Sequence, residues 1–133
     1  MRIMVDANVI VSAVLFPDSA VAKAFNHIIN NHTLVLSGYT VGEVKDVFAE
    51  KFSRKITELE KFIRRTPYVL FENNNPKHKK YPNIRDADDM PVLINAVESG
   101  ADLLVTGDKD FDDVIIEKPR IINPRRYIDE YGD

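Results

Sequence analysis

A single α/β domain built on a mostly parallel sheet is the fold this sequence predicts, and three observations predict it. Short apolar runs fit for strands alternate with stretches of helical spacing along all 133 residues. Those runs, such as Ile3-Met4-Val5 and Leu103-Leu104-Val105, are continuously apolar rather than alternating, as strands buried on both faces are. No repeat and no domain-sized break interrupts the rhythm, so residues 1–133 read as one domain.

Taken in order, the first strand covers Ile3 to Val5 and stops at Asp6. Val9, Ile10, Ala13 and Val14 then recur at helical spacing until Pro17. Asp18 or Ser19 caps a second helix carrying Val21, Ala22, Phe25, Ile28 and Ile29 on one face. Thr33 to Leu36 is the second strand, closed by Ser37-Gly38. Thr40 is read as the cap of the next helix, with Glu43 in the capping-box position. Ile56, Leu59, Phe62 and Ile63 mark a fourth helix, and Tyr68 to Phe71 a third strand. The polar, proline-bearing stretch from Glu72 to Arg85 is a loop. Asp86 to Asp89 open a helix through Val92, Leu93, Ala96 and Val97, with Gly100 as its stop. Leu103 to Val105 and Arg120 to Ile122 complete about five strands, and Asn123-Pro124 starts a last short helix.

Composition excludes several function classes. Without a single cysteine there is no disulfide scaffold, thiol nucleophile, iron–sulfur cluster or thiolate zinc site. No apolar run approaches the ~20 residues of a transmembrane helix, and the start MRIMVDANVI lacks a signal-peptide layout, so the expected location is cytoplasmic, with no membrane partner. Among only 5 glycines no phosphate-binding loop is found, and no Ser-His-acid arrangement is suggested. His27, His32 and His78 have no partner at metal-ligand spacing and read as structural or solvated. The net charge of −3 argues by itself against nucleic acid.

The distribution of acids changes that last point. Ligands of open parallel sheets sit beyond the carboxyl ends of the strands, where the strand order reverses. Strand one ends at Asp6, and strand four runs into Thr106-Gly107-Asp108-Lys109-Asp110-Phe111-Asp112. Glu43 and the Asp86–Asp89 group lie near the starts of helices on the same edge. Converging carboxylates repel one another unless a cation offsets them, and oxygen-only clusters suit Mg²⁺ or Mn²⁺. Such a site can activate water and stabilise the leaving oxygen of a phosphodiester. Two divalent ions would move the formal balance from −3 to +1.

MVDANVIVSA, then GEV, then DADDMPVLINAVESGADLLVTGDKDF, in that order and over almost the whole chain, resemble the PIN-domain family of metal-dependent ribonucleases. Within that family the chain is most similar to toxins of prokaryotic toxin–antitoxin systems and their solitary relatives. The resemblance implies a three-layer sandwich with a parallel central sheet, and Mg²⁺- or Mn²⁺-dependent endonucleolytic cleavage of RNA. It also implies a homodimer and an antitoxin partner. Matched position by position, Asp6, Glu43, Asp89 and Asp108 are the metal-binding and catalytic acids; Asp89 is preferred to Asp86 and Asp88 because it lies seven residues before the small core residue Ala96. Asn8 and Thr106 match supporting polar positions, and Asp110 and Asp112 are weaker matches. The stretch from Lys45 to Arg85 matches only loosely.

Each acid has a plainer role available. Asp6 can end a strand, Glu43 can complete a capping box with Thr40, and Asp86, Asp88 and Asp89 suit a helix start. Separate caps, however, need not all fall on one edge of one sheet. For RNA contact the candidates are Lys79, Lys80, Tyr81 and Arg85, a basic cluster with an aromatic ring for stacking, against the alternative of a solvated face. The competing function is a catalytically inactive PIN-like adaptor or a receiver-like signalling module. A receiver needs paired acids after strand one and an Asp after strand three, where this chain has Ala7-Asn8 and Glu72-Asn73.

Overall fold

The computed structural model describes residues 1–72, 81–82 and 84–132. Five strands, β1 (Arg2–Val5), β2 (Thr33–Ser37), β3 (Val69–Phe71), β4 (Leu103–Val105) and β5 (Arg120–Ile122), form one sheet in the order β3-β2-β1-β4-β5. All four pairings are parallel, with Met4 opposite both Val35 and Leu104. The order reverses between β1 and β4, which places the ligand crevice at the ends of those two strands. It also differs from the 2-1-3-4-5 order of receiver-type sheets, so the receiver-like alternative fails on topology.

The continuous apolar strands are explained by two helix layers. Ile3 and Val5, Leu34 and Leu36, and Leu103 and Val105 face one side, packed with Phe25, Ile28, Val44, Phe48 and Tyr127. These partners come from α2 (Ala20–Asn31), α3 (Gly38–Lys51) and α6 (Pro124–Tyr131), joined there by α1 (Ala7–Leu15) and α4 (Ile56–Arg65). Met4, Val35 and Leu104 face the other side, against Val92, Leu93 and Ala96 of α5 (Met90–Glu98) and against Phe111. The three-layer sandwich follows from that alternation inside each strand.

Helix starts place the polar groups at the crevice. Asp6 caps α1, its Oδ1 accepting the Val9 N–H at 3.1 Å. Ser19, rather than Asp18, caps α2. Asn123 caps α6 just before Pro124. The cap expected at Thr40 is corrected: Ser37 caps α3 and accepts the Thr40 N–H at 3.0 Å, so Thr40 lies inside the helix. The helix therefore begins at Gly38, and Glu43 sits a turn too far along to complete a capping box. Asp86 to Asp89 open on a short 3-10 turn (Ala87–Asp89) before α5, which ends near Gly100 at φ +71°. His27 has a structural partner, its Nδ1 lying 2.7 Å from the Tyr127 hydroxyl and so joining α2 to α6. No single helix among the described residues is long and apolar enough to cross a membrane.

Candidate metal centre

At the switch point, two strand ends are tied together through one hydroxyl. Thr106, the residue after β4, donates from Oγ1 to Asp6 Oδ2, and the same oxygen accepts the Asp108 N–H at 3.0 Å. Asp108 in turn caps a 3-10 turn (Lys109–Phe111) by accepting the Asp110 N–H at 2.9 Å. Asp6 is 6% exposed. Burial pushes its carboxyl above the usual range, against the Thr106 hydroxyl and the Val9 and Asn8 backbone N–H groups, which favour the charged form; the nearby Asp108 raises it further.

The other acids approach from the start of α5, from α3 and from the 3-10 turn after β4. One carboxylate oxygen each from Asp86, Asp89 and Asp110 lies within 4.8 Å of the others. Asp89 is pushed up to about 7, chiefly by burial, then by Asp108 and by the charges of Asp86 and Asp110. Its Oδ2 is buried and meets no hydrogen-bond donor among the described residues. Glu43, on the second turn of α3, is raised first by burial and then by Asp6 and Asp88. Asp6, Glu43, Asp89 and Asp108 thus share one electrostatic neighbourhood, and Asp86 and Asp110 join it through Asp89.

The other expected participants lie around these acids or away from them. Asn8 is exposed on the first turn of α1, and Asp112 is exposed at the end of the 3-10 turn. Arg85 is ion-paired to Asp113 at 2.9 Å and reaches Asp110 at 3.8 Å. Tyr81 is half-buried, with its hydroxyl donating to Glu98 on α5. Lys79 and Lys80 lie outside the described residues.

Asp86, the alternative to Asp89 in the sequence, lies in the same group of oxygens as Asp89. One further residue has no place in the sequence reading. Tyr39 on the first turn of α3 donates its hydroxyl to the Asp88 carbonyl at 3.1 Å, bridging the element that carries Glu43 to the one that carries Asp89. Its place four residues before Glu43 puts it on the same face of α3, but nothing local marks its contact with Asp88.

An uncompensated cluster of this kind is expensive, and Arg85 offsets little of it because its guanidinium is 60% exposed and screened. The donor set is all oxygen and hard, and Asp89, whose carboxyl is pushed up and whose buried oxygen is orphaned among the described residues, lies within reach of Asp86 and Asp110. Those are the features a hard divalent cation satisfies, so the residues present fit Mg²⁺ or Mn²⁺.

No match was found among curated proteins. Among solved structures, the chain is similar to one from VapBC2 of Rickettsia felis, solved bound to a DNA fragment from its promoter. The TM-score is 0.63 at 18% identity, over 92% of this chain and 98% of that one, which is a likeness of fold. A family profile described as PIN domain matches residues 2–110, a span that holds four of the five strands, β1 to β4, and every acid from Asp6 to Asp110. On that match, with the parallel sheet and its acidic switch point, the chain belongs to the PIN-domain family.

Proposed function

We propose that this chain is a divalent-metal-dependent endoribonuclease and the toxin of a toxin–antitoxin pair. The observation that carries the reading is the orphaned, buried Asp89 oxygen set close to Asp86 and Asp110 at the strand switch point. A Mg²⁺ or Mn²⁺ ion held by Asp6, Glu43, Asp89 and Asp108 would supply charge neutralisation and water activation at a phosphodiester. Asp86 and Asp110 extend the donor set on the Asp89 side.

The chain's own groups then have distinct work. Val9 N–H and Thr106 hydroxyl fix both oxygens of Asp6, so its free lone pairs point in set directions. Thr106 also fixes Asp108 through its backbone, which keeps the two acids in register. Tyr39 sets the approach of Asp88 and Asp89 to α3. Arg85, beside Asp110, and Tyr81 would line the RNA path, and Lys79 and Lys80, which lie outside the described residues, remain candidates for RNA contact by their charge. The family supports the nuclease reading, and the neighbouring VapBC2 fold supports the antitoxin partner; a homodimer and a cytoplasmic location complete the proposal.

The test is cleavage of a mixed-sequence RNA with Mn²⁺ or Mg²⁺ added, comparing wild type with Asp6→Asn and Asp108→Asn. Metal-dependent cleavage lost in both variants is the expected result. Equal cleavage by either variant would remove these acids from the mechanism.

A further inference from the structure

Next to the acidic cluster lies a groove of about 530 Å³ that none of the acids' roles explains. It runs between the loop leaving β4 and the end of β5, where α6 begins. Asp108 and Gly107 form part of its wall on the side of the acids, and Asn123 stands on the other. Phe111, Val114, Ile116 and Ile121 supply an apolar lining. Its volume falls within the range of roughly 300–1,000 Å³ that small-ligand sites occupy.

Charge narrows the occupant. Of the lining cations, Arg120 and Arg126 are already paired with Glu130, at 2.6–2.8 Å and 3.0 Å. Asp112 and Glu117 on the lining repel a second phosphate. Lys109, next to Asp108, makes no ion pair among the described residues. Asn123 uses its side-chain oxygen on the Arg126 N–H, which leaves its amide N–H groups as donors. The groove therefore offers an apolar surface and a neutral polar donor, with one unpaired cation only at the end nearest the acids.

We infer that this groove holds one nucleoside of the RNA strand, the nucleotide flanking the scissile phosphate, with its base against the apolar lining and its phosphate between Lys109 and Asp108. The inference rests on the ribonuclease reading for the identity of the ligand, but not for the existence of the site. Continuity through Asp108 carries it: a strand whose phosphate reaches the acids has this groove as the adjoining space large enough for a base.

Gly107 gives a clean way in, since a Cβ built there meets no atom within 4 Å and its φ is not positive. Gly107→Val adds bulk at this lining position where the Cβ itself meets open space, and Lys109→Glu, on an exposed side chain, is the second variant. Full-length protein is titrated with each of the four ribonucleoside 5′-monophosphates while backbone amide shifts are followed, and RNA cleavage and the Mn²⁺-induced rise in Tm are measured in parallel. Saturable shifts at the amides of Gly107, Lys109 and Asn123, abolished by Gly107→Val, are the expected result. With them KM for RNA rises roughly ten- to hundredfold in both variants, the worth of one bound base, while the Mn²⁺ response of Tm is kept. Shifts confined to the surroundings of Asp6 and Asp89, or an unchanged KM in both variants, would overturn the groove and leave the nuclease reading standing. Groove shifts in a chain that cleaves no RNA would uphold the groove and sink the nuclease reading instead.

Discussion

The two ends of the β1–β4 pair each carry an aspartate, and the protein treats them in opposite ways. At the amino end Asp102 accepts the Arg2 backbone N–H at 2.8 Å and lies 3.5 Å from Lys118, which holds its carboxyl below the usual range. At the carboxyl end Asp6 is buried and shares its surroundings with Asp108 and Glu43, which pushes it up. Each acid is bonded to a residue a hundred positions away on the neighbouring strand, Asp102 to Arg2 and Asp6 to Thr106. Among the described residues Asp102 has Lys118 beside it and Asp6 has no ion pair. The amino end shows that the fold can give a carboxylate a resident counter-charge. At the carboxyl end Arg85 reaches only as far as Asp110, from 3.8 Å and largely exposed, so the described residues leave the acids there short of positive charge.

The largest expected effect breaks the comparison directly. Asp6→Asn or Asp108→Asn should lower metal-dependent RNA cleavage on the order of a thousandfold, the kinetic worth of several kcal/mol of charge stabilisation. Asp102→Asn should leave cleavage within about twofold while lowering Tm, because it weakens a tie between β1 and β4 and nothing at the crevice. If Asp102→Asn reduced cleavage as far as Asp6→Asn does, the two ends would not differ in function. Thr106→Val comes next. It strips the hydroxyl that joins Asp6 to Asp108 and leaves the acids in place, so cleavage should fall roughly ten- to a hundredfold, the usual cost of losing a group that orients a ligand.

Stability against pH reads the same contrast without any substrate. Asp89 has an ordinary value of 3.8 and sits near 7 in the folded chain, so between those values the folded state keeps a proton the unfolded state has lost. Raising the pH then favours unfolding. In chelator, this carboxyl should lower Tm from about pH 4 to about pH 7 and add no further slope above. Asp6 and Glu43 act in the same direction, whereas Asp102 stabilises above its ordinary value and loses that contribution on acidification. Asp89→Asn should flatten the fall, and saturating Mn²⁺ should reverse it, adding about 2.7 kcal/mol at a hundredfold excess over Kd. A Tm that rises steadily through this window in chelator would place Asp89 in solvent, ordinary and unburdened.

Much of this contrast was legible before any coordinates, and the reason is physical. Strands buried on both faces leave unbroken apolar runs, so β1 and β4 could be read within a residue or so, and Asp6 and Asp108 could be placed just past their ends. Caps with a single candidate, such as Asn123 before Pro124, were equally plain. Where two capping residues lay three apart, spacing could not choose: Ser37 caps α3 and Thr40 does not. Spacing likewise cannot separate Asp86 from Asp89, since a 3-10 turn before α5 brings both to the same cluster. Long-range partners leave no local trace at all. Neither the Arg2 tie of Asp102 nor the contact of Tyr39 with Asp88, forty-nine residues on, could be read from spacing.

Tyr39 therefore carries the smallest prediction and the finest one. Its hydroxyl links α3 to the 3-10 turn before α5, and so governs the separation of Glu43 from Asp89 rather than the charge on either. Tyr39→Phe removes that link and keeps the ring. The Asp88 carbonyl lies on an exposed residue where water can replace the phenol, so the net cost should stay near the ~0.5–1.5 kcal/mol of one exchanged hydrogen bond. Tm should drop by only a few degrees. The Mn²⁺ concentration giving half of the Tm rise should increase, by roughly two- to tenfold, because a looser pair of elements must be ordered when the ion binds. Asp102→Asn should lower Tm without moving that concentration. A Tyr39→Phe chain that lost stability and kept the wild-type Mn²⁺ response would make Tyr39 a tie like Arg2–Asp102, one more contact holding the sheet and its helices together and no part of what sets the acids apart.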